Sequence, residues 1–278
     1  MITNILSVDV EEWFHPEALQ SRFPQDGWQK QPERVVQNIE SLLRLFDEQN
    51  VKATFFTLAW VARAHPDMIR KICEQGHEIA SHGSLHKMLT RMTPDEFRSD
   101  LGDSIKTLED ISGKKVLGFR APTFSVVRET FWSWEIMLEL GLKYDSSVYP
   151  IWHDRYGVPD APRQRYIAFE ENGKKLIEFP MSTLNILGKR LPFGGGGYLR
   201  IFLGAFTRMA INKINKEGLP AIMYMHPWEF DTGQPKLELG PIQTWRHYYN
   251  ISGNYKKLSS LLQRFQWTSF ENILDENL

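Results

Sequence analysis

Short apolar runs that end in a polar residue, separated by helical patterns, recur along most of this 278-residue chain. Ile5 to Val8 leads into Asp9, Ala53 to Leu58 is the next run, and His77 to Ala80 leads to His82. Val116 to Phe119 ends at Arg120, and Lys143 to Tyr144 ends at Asp145. Leu176 to Phe179 and Ala221 to Met225 complete the series, the last leading to His226. Between the first two runs, Pro32 to Gln49 carries Val35, Val36, Ile39, Leu42, Leu43 and Phe46 on one helical stripe. Further helices are expected over Pro66 to Glu74, after the capping signature Thr93-Pro94-Asp95-Glu96, and over Glu129 to Leu140, Leu199 to Lys216 and Tyr255 to Phe265. Parallel strands need a crossover, and a helix is the usual one. About seven such units predict an α/β fold, a distorted (β/α)7-type barrel in one domain over residues 1–231. A helical, aromatic-rich extension, 232–278, is expected to pack on it. In such barrels the C-terminal strand ends carry the active site, and the polar residues above sit there.

Composition removes several alternatives. With 42% hydrophobic and 24% charged residues, the chain can bury a large core. A net charge of -1 without a basic run excludes an obvious nucleic-acid surface. No segment offers the roughly 20 apolar residues of a membrane span. The single cysteine, Cys73, rules out an internal disulfide and a cysteine-rich zinc site, and reads as a small core residue. The first residues lack a basic stretch and meet Asp9, Glu11 and Glu12 at once, so a signal peptide is not expected and a cytoplasmic location is. Gly194 to Gly197 is not followed by Gly-Lys-Ser/Thr and is no phosphate loop; it either lines a cleft or is a flexible loop.

On a strand, Asp9 and Glu11 share a face and Glu12 points the other way. Such a pair can divide labour between binding a metal and serving as a base, or can be solvated charge. His82 and His86, with Gly83 and Ser84 allowing a tight path, can bring two imidazoles to one ion, or can be unrelated surface residues. With a carboxylate from another strand they form a facial set that leaves positions open for water and substrate. Arg120, held by Ala121-Pro122, can orient a carboxylate bidentately and keep it ionised, or make a surface pair. Asp145 can polarise a histidine or cap a turn. His226 is a site residue or a hydrogen-bonded core histidine. Trp13, Phe14, Trp152, Tyr198 and Trp228 lie beside these positions, where aromatic faces can stack on sugar rings.

In this order, Asp9-Val10-Glu11, His82-Gly83-Ser84-Leu85-His86, Phe119-Arg120-Ala121-Pro122, Tyr144-Asp145-Ser146-Ser147 and His226-Pro227-Trp228 resemble the motifs of the polysaccharide deacetylase (NodB-homology, carbohydrate esterase family four) superfamily. With Leu191-Pro192-Phe193 and the glycine run, the chain is most similar to a branch encoded with exopolysaccharide and exosortase loci, which carries a C-terminal extension. The resemblance implies a metal-dependent hydrolase that removes an acetyl group from an amino sugar of a glycan or its precursor. It implies a divalent metal, zinc in the first place and cobalt, nickel or manganese as alternatives, on Glu11, His82 and His86. Asp9 is then the base, oriented by Arg120, and His226 the acid, with Asp145 holding the imidazole charged. Pro122, Ser147, Trp13, Gly196, Tyr198 and Trp228 are the substrate-binding candidates. One departure stands out: Glu11, separated from Asp9 by Val10, replaces the commoner adjacent aspartate. The rivals are a hydrolase of a small non-glycan amide and a carbohydrate-binding protein that has lost catalysis.

Overall fold

Thr3–Val10 forms the central strand β1, buried along nearly its whole length. A computed structural model describes residues 2–274; Met1 and the last four residues of the expected extension lie outside them. After β1 come helix α1 (Val35–Glu48), β2 (Thr54–Thr57), α2 (Ala59–Ala64), α3 (Pro66–Glu74), β3 (Glu78–Ser81), α4 (Pro94–Ser112), β4 (Gly118–Phe119), α5 (Ser133–Glu139) and β5 (Tyr144–Asp145). The second half adds β6 (Tyr166–Glu171), β7 (Lys174–Glu178), β8 (Thr183–Ile186), β9 (Lys189–Pro192), α6 (Gly197–Ile201), α7 (Gly204–Lys216) and β10 (Ile222–Met225). It ends with α8 (Pro241–Tyr248), α9 (Ile251–Leu262), β11 (Gln266–Thr268) and α10 (Glu271–Leu274).

Strands β10, β1, β2, β3, β4, β5 and β7 lie side by side in that order, all parallel, with β6 antiparallel at the edge. The mixed α/β, single-domain architecture read from the alternating runs is the one observed. Strand β11 pairs with Thr3–Ile5 of β1, so the region after residue 232 contributes to the main sheet. Local signals explain the best-matched helix start: Thr93 and Glu96 form a reciprocal capping box, and Gly113, with φ 68°, ends α4.

Three expectations need correction. The single helix over Leu199 to Lys216 is two, broken at Phe202 and Leu203. Lys257 Nζ donates to the carbonyls of Leu199, Arg200 and Phe202, satisfying the groups the break exposes. The strand at Leu176 is half of a hairpin whose turn is Asn172-Gly173, both with positive φ. The helix over Glu129 to Leu140 begins only at Ser133, after a 3-10 turn.

The glycine run is neither a cleft loop nor free. Tyr224 N donates to Gly194 O and Gly196 N to Tyr224 O, so the run pairs with β10 like a short strand. On the same edge of β10, Ile222 N donates to Ser182 Oγ, just beyond β7. A Cβ on Gly195 would lie 2.0 Å from the Tyr224 carbonyl oxygen, and one on Gly194 2.6 Å from that of Ile222. Gly195→Ala is therefore expected to cost about 1–3 kcal/mol, read as a lowered denaturant midpoint. An unchanged midpoint would show that this contact is loose.

Candidate active site

Ser7, Asp9 and Glu11 alternate along β1 and its end, all buried and facing inward. Glu12 faces away: its Oε1 accepts from the backbone N–H of Arg34 (2.7 Å) and Val35 (2.9 Å) at the start of α1. It caps that helix and is no substitute ligand.

His82 follows β3, and His86 turns back through a left-handed backbone position (φ 51°). Glu11 Oε1 lies 3.1 Å from His82 Nε2 and 3.0 Å from His86 Nε2. Glu11, His82 and His86 are a buried group whose ligand atoms all fall within 4.8 Å of one another. The second ring nitrogen of each histidine is accounted for: His82 Nδ1 lies 2.7 Å from the Arg120 carbonyl and His86 Nδ1 3.3 Å from the Gln20 amide. With Nδ1–H of His82 donating to a carbonyl, its Nε2 presents a lone pair toward a carboxylate oxygen. A cation must lie between them, and a proton or a metal ion fits. Burial raises the Glu11 pKa, but the imidazoles of His86, His226 and His82 hold it well below the usual carboxylate range. The donor set and second shell thus fit a divalent metal with open positions.

Two further groups flank this set. Arg120, fully buried, donates from Nη1 to Asp9 Oδ1 (2.7 Å) and Ser7 Oγ (2.8 Å), from Nε to the Ser146 carbonyl and from Nη2 to Ser146 Oγ. It holds one Asp9 oxygen rather than clasping both, so the expected bidentate pair is a single bond. The other oxygen, Oδ2, lies 4.0 Å from His226 Nε2, which is 3.8 Å from Glu11 Oε1. Behind His226, Nδ1 lies 3.3 Å from Glu229 Oε2, and Arg200 Nε donates to Glu229 Oε1 at 3.1 Å. Burial disfavours the imidazolium, yet Glu11, Glu229 and Asp9 outweigh it and raise the His226 pKa to about 9. A bound cation would offset Glu11, so Glu229 is the enduring partner.

Asp145 does not reach His226. It accepts from Trp134 Nε1 (3.0 Å) and from Ser147 Oγ, and its carboxyl packs on Glu178. Burial pushes Asp145 up to about 6, and burial with the Asp145 charge pushes Glu178 well up, so the pair holds a proton. The folded pair keeps protons that the unfolded chain, with ordinary values of 3.8 and 4.5, has released. Stability therefore falls as pH rises from about 4, through about 6 for Asp145 and beyond that for Glu178. Glu178→Gln, which carries the hydrogen permanently, is expected to flatten that fall, measured as denaturant midpoint between pH 5 and 8. An unaltered slope would remove the pair as its source.

Other assignments also move. Trp13 is buried against Phe14 and Phe23, with Nε1 donating to the Pro32 carbonyl, so it builds core rather than contacting a sugar. Ser147 is buried, its Oγ accepting from Ala121 N (2.7 Å), which positions the Arg120-Ala121-Pro122 turn. Pro122 and Gly196 are structural neighbours of the site. Tyr198 stands behind Tyr156, to which it is hydrogen-bonded. Trp228 does line the cavity, stacked on His226 at 5.2 Å.

A cavity of about 190 Å³ opens onto Asp9, Glu11, His82, His86, His226 and Trp228. Its other walls include Thr123, Phe124, Tyr156 and Tyr224, none of which was singled out from sequence. Thr123 and Phe124 both have positive φ (58° and 53°), a strained path beside the site. Glu229 was also missed, although Pro at the first turn and Glu three residues after His226 is a capping-box signature.

Residues 25–144 match the family model "Polysaccharide deacetylase", and residues 146–275 match "Domain of unknown function (DUF3473)". Residues 25–144 are thus assigned to a polysaccharide deacetylase domain. The two matches meet inside one continuous sheet, and the site draws on both: His82 and Arg120 from the first, His226 and Glu229 from the second. The chain is 30% identical over 110 residues to the peptidoglycan deacetylase of Helicobacter pylori, 40% of this chain and 36% of that protein. The matched segment is thus little more than a third of that relative. A solved structure assigned as a polysaccharide deacetylase from Mycobacterium smegmatis shares the fold (TM-score 0.64, 23% identity, 99% of this chain and 90% of that one). PuuE allantoinase shares it too (TM-score 0.59, 18% identity, 97% and 88%). No helix among the described residues is long and apolar enough to cross a membrane.

Proposed function

We propose that this chain is a metal-dependent hydrolase removing N-acetyl groups from an amino sugar of a polysaccharide or its precursor, in exopolysaccharide or other cell-surface glycan biosynthesis. The observation that carries this reading is the Glu11–His82–His86 set, flanked in one cavity by Asp9 and His226. Glu11, His82 and His86 would hold a divalent ion, zinc first. Such an ion supplies a Lewis acid toward an acetyl carbonyl and acidifies water. Asp9, anchored by Arg120 through one oxygen, has the other free to take a proton from the attacking water. His226, protonated and backed by Glu229, delivers a proton to the departing amine. Trp228 keeps the imidazole in plane by stacking on it.

A second reading has support in the compact cavity and the fold shared with an allantoinase: hydrolysis of a small amide or ureide. Purified protein stripped with chelator and reloaded with zinc, cobalt, nickel or manganese decides between them. Acetate release from N-acetylglucosamine oligomers, lost on stripping and regained on reloading, supports the first. Turnover of allantoin without acetate release from any glycan establishes the second.

A further inference from the structure

The cavity is smaller than the roughly 300–1,000 Å³ of a drug-sized ligand pocket. A glycan chain entering it must rest its neighbouring sugars outside. Tyr156, in the cavity wall, leads to such a surface. His153 stacks on it (3.9 Å, 15° between planes), and Tyr198 is hydrogen-bonded to it. Arg246 of α8 lies within electrostatic reach of both His153 and Tyr198. Helix α8 buries none of its residues, and beside Arg246 it presents the ring of Trp245, paired with Tyr249 at 5.1 Å. Trp152, next to His153, is 80% exposed. The stacked Tyr156 and His153 and the exposed rings of Trp152 and Trp245 thus lie on segments that meet outside the cavity.

The charge on this shelf is net positive. Arg155 and Arg246 are exposed and make no ion pair among the described residues, against one exposed acid, Asp154, beside His153 (2.9 Å), whose imidazolium burial disfavours. Inside the cavity, by contrast, the acids Asp9 and Glu17 are already paired with Arg120 and Arg91. A neutral glycan needs only the rings. A guanidinium with no ion pair, such as that of Arg246, suits a carboxylate.

We propose that the shelf formed by Trp152, Tyr156, Tyr198, Trp245 and Arg246 is a distal subsite for a glycan chain that carries uronic-acid carboxylates. This rests on the glycan reading of the cavity. Aromatic faces hold the sugar rings, and Arg246, with Arg155 beyond it, selects the acidic sugar two or more units from the acetamide to be cleaved.

Binding of hyaluronan hexasaccharide, which alternates N-acetylglucosamine with glucuronate, is compared with that of the neutral chitin hexasaccharide by calorimetry on the full chain. The wild type is expected to bind the acidic hexamer more tightly, with the advantage shrinking at high salt. Arg246→Glu is expected to weaken that binding about tenfold and to change chitin binding less than about twofold. Trp245→Ala weakens both. Arg246→Gln, which removes charge without reversing it, gives an intermediate loss and guards against misfolding of the Glu variant. Equal binding of the two hexamers by wild type, or equal effects of Arg246→Glu on both, overturns the proposal. If the Arg246-dependent preference holds but neither hexamer releases acetate, the deacetylase reading falls and the subsite stands.

Discussion

Asp9→Asn is expected to lower acetate release by about 10²–10⁴-fold while leaving the bound metal at wild-type stoichiometry. The substitution keeps the size of the side chain and an oxygen for Arg120 Nη1, so the anchoring bond of 2.7 Å has a successor. What disappears is the basic oxygen that faces His226 across the cavity. Metal content, read by atomic emission, separates this outcome from that of Glu11→Gln, where a donor of the 3.0–3.1 Å set is weakened and occupancy falls first. If Asp9→Asn and wild type act equally on every acetylated sugar, Asp9 is not the base and the carbohydrate-binding rival gains ground.

Arg120→Met is expected to be among the most destabilising single changes in the chain, at about 3–5 kcal/mol, against a typical total of about 5–15. Arg120 is fully buried and ties β1 to the segment after β5 through Ser7, Asp9 and both oxygens of Ser146, with its guanidinium 4.1 Å over the Phe56 ring. Methionine fills the space but strands the Asp9 carboxylate without its partner. Arg120→Lys does not restore it, since one ammonium cannot donate to acceptors on opposite sides as the guanidinium does. Adding Asp9→Asn to Arg120→Met is expected to recover part of the loss, because the stranded charge goes with it. Denaturant midpoints of the four proteins in this cycle measure the coupling; simple additivity would mean that Asp9 and Arg120 do not support each other.

The parts of the site that the sequence made legible are those set by periodicity. Alternation along β1 placed Asp9 and Glu11 together and Glu12 apart, and the Glu12 carboxylate does turn to α1. The four-residue spacing of His82 and His86 brought both rings to Glu11. What was illegible depends on packing between distant segments. Nothing local in Tyr144-Asp145-Ser146-Ser147 says that Trp134 and Glu178 occupy Asp145, leaving Glu229 to hold His226. Trp13 reads like any aromatic beside a strand end until Phe23 and the Pro32 carbonyl are seen to enclose it. The split between α6 and α7 depends on Lys257, 55 residues beyond Phe202. The hairpin turn Asn172-Gly173 is a different case, a local signal that the sequence did display.

The place of β1 in the sheet bears on how the chain is made. Its neighbours are β2, β10 and β11, so two of its three pairings join residues more than 200 positions apart. A ribosome that has delivered residues 1–144 has delivered one family match, yet β1 still has one flank open and His226 is unmade. Closing loops of that length is slow, and the exposed strand is a hazard for aggregation while it waits. Assembly of the site is thereby deferred until β10 and Glu229 have emerged, and completion of the sheet until β11 has, so both matched segments contribute to one folding unit.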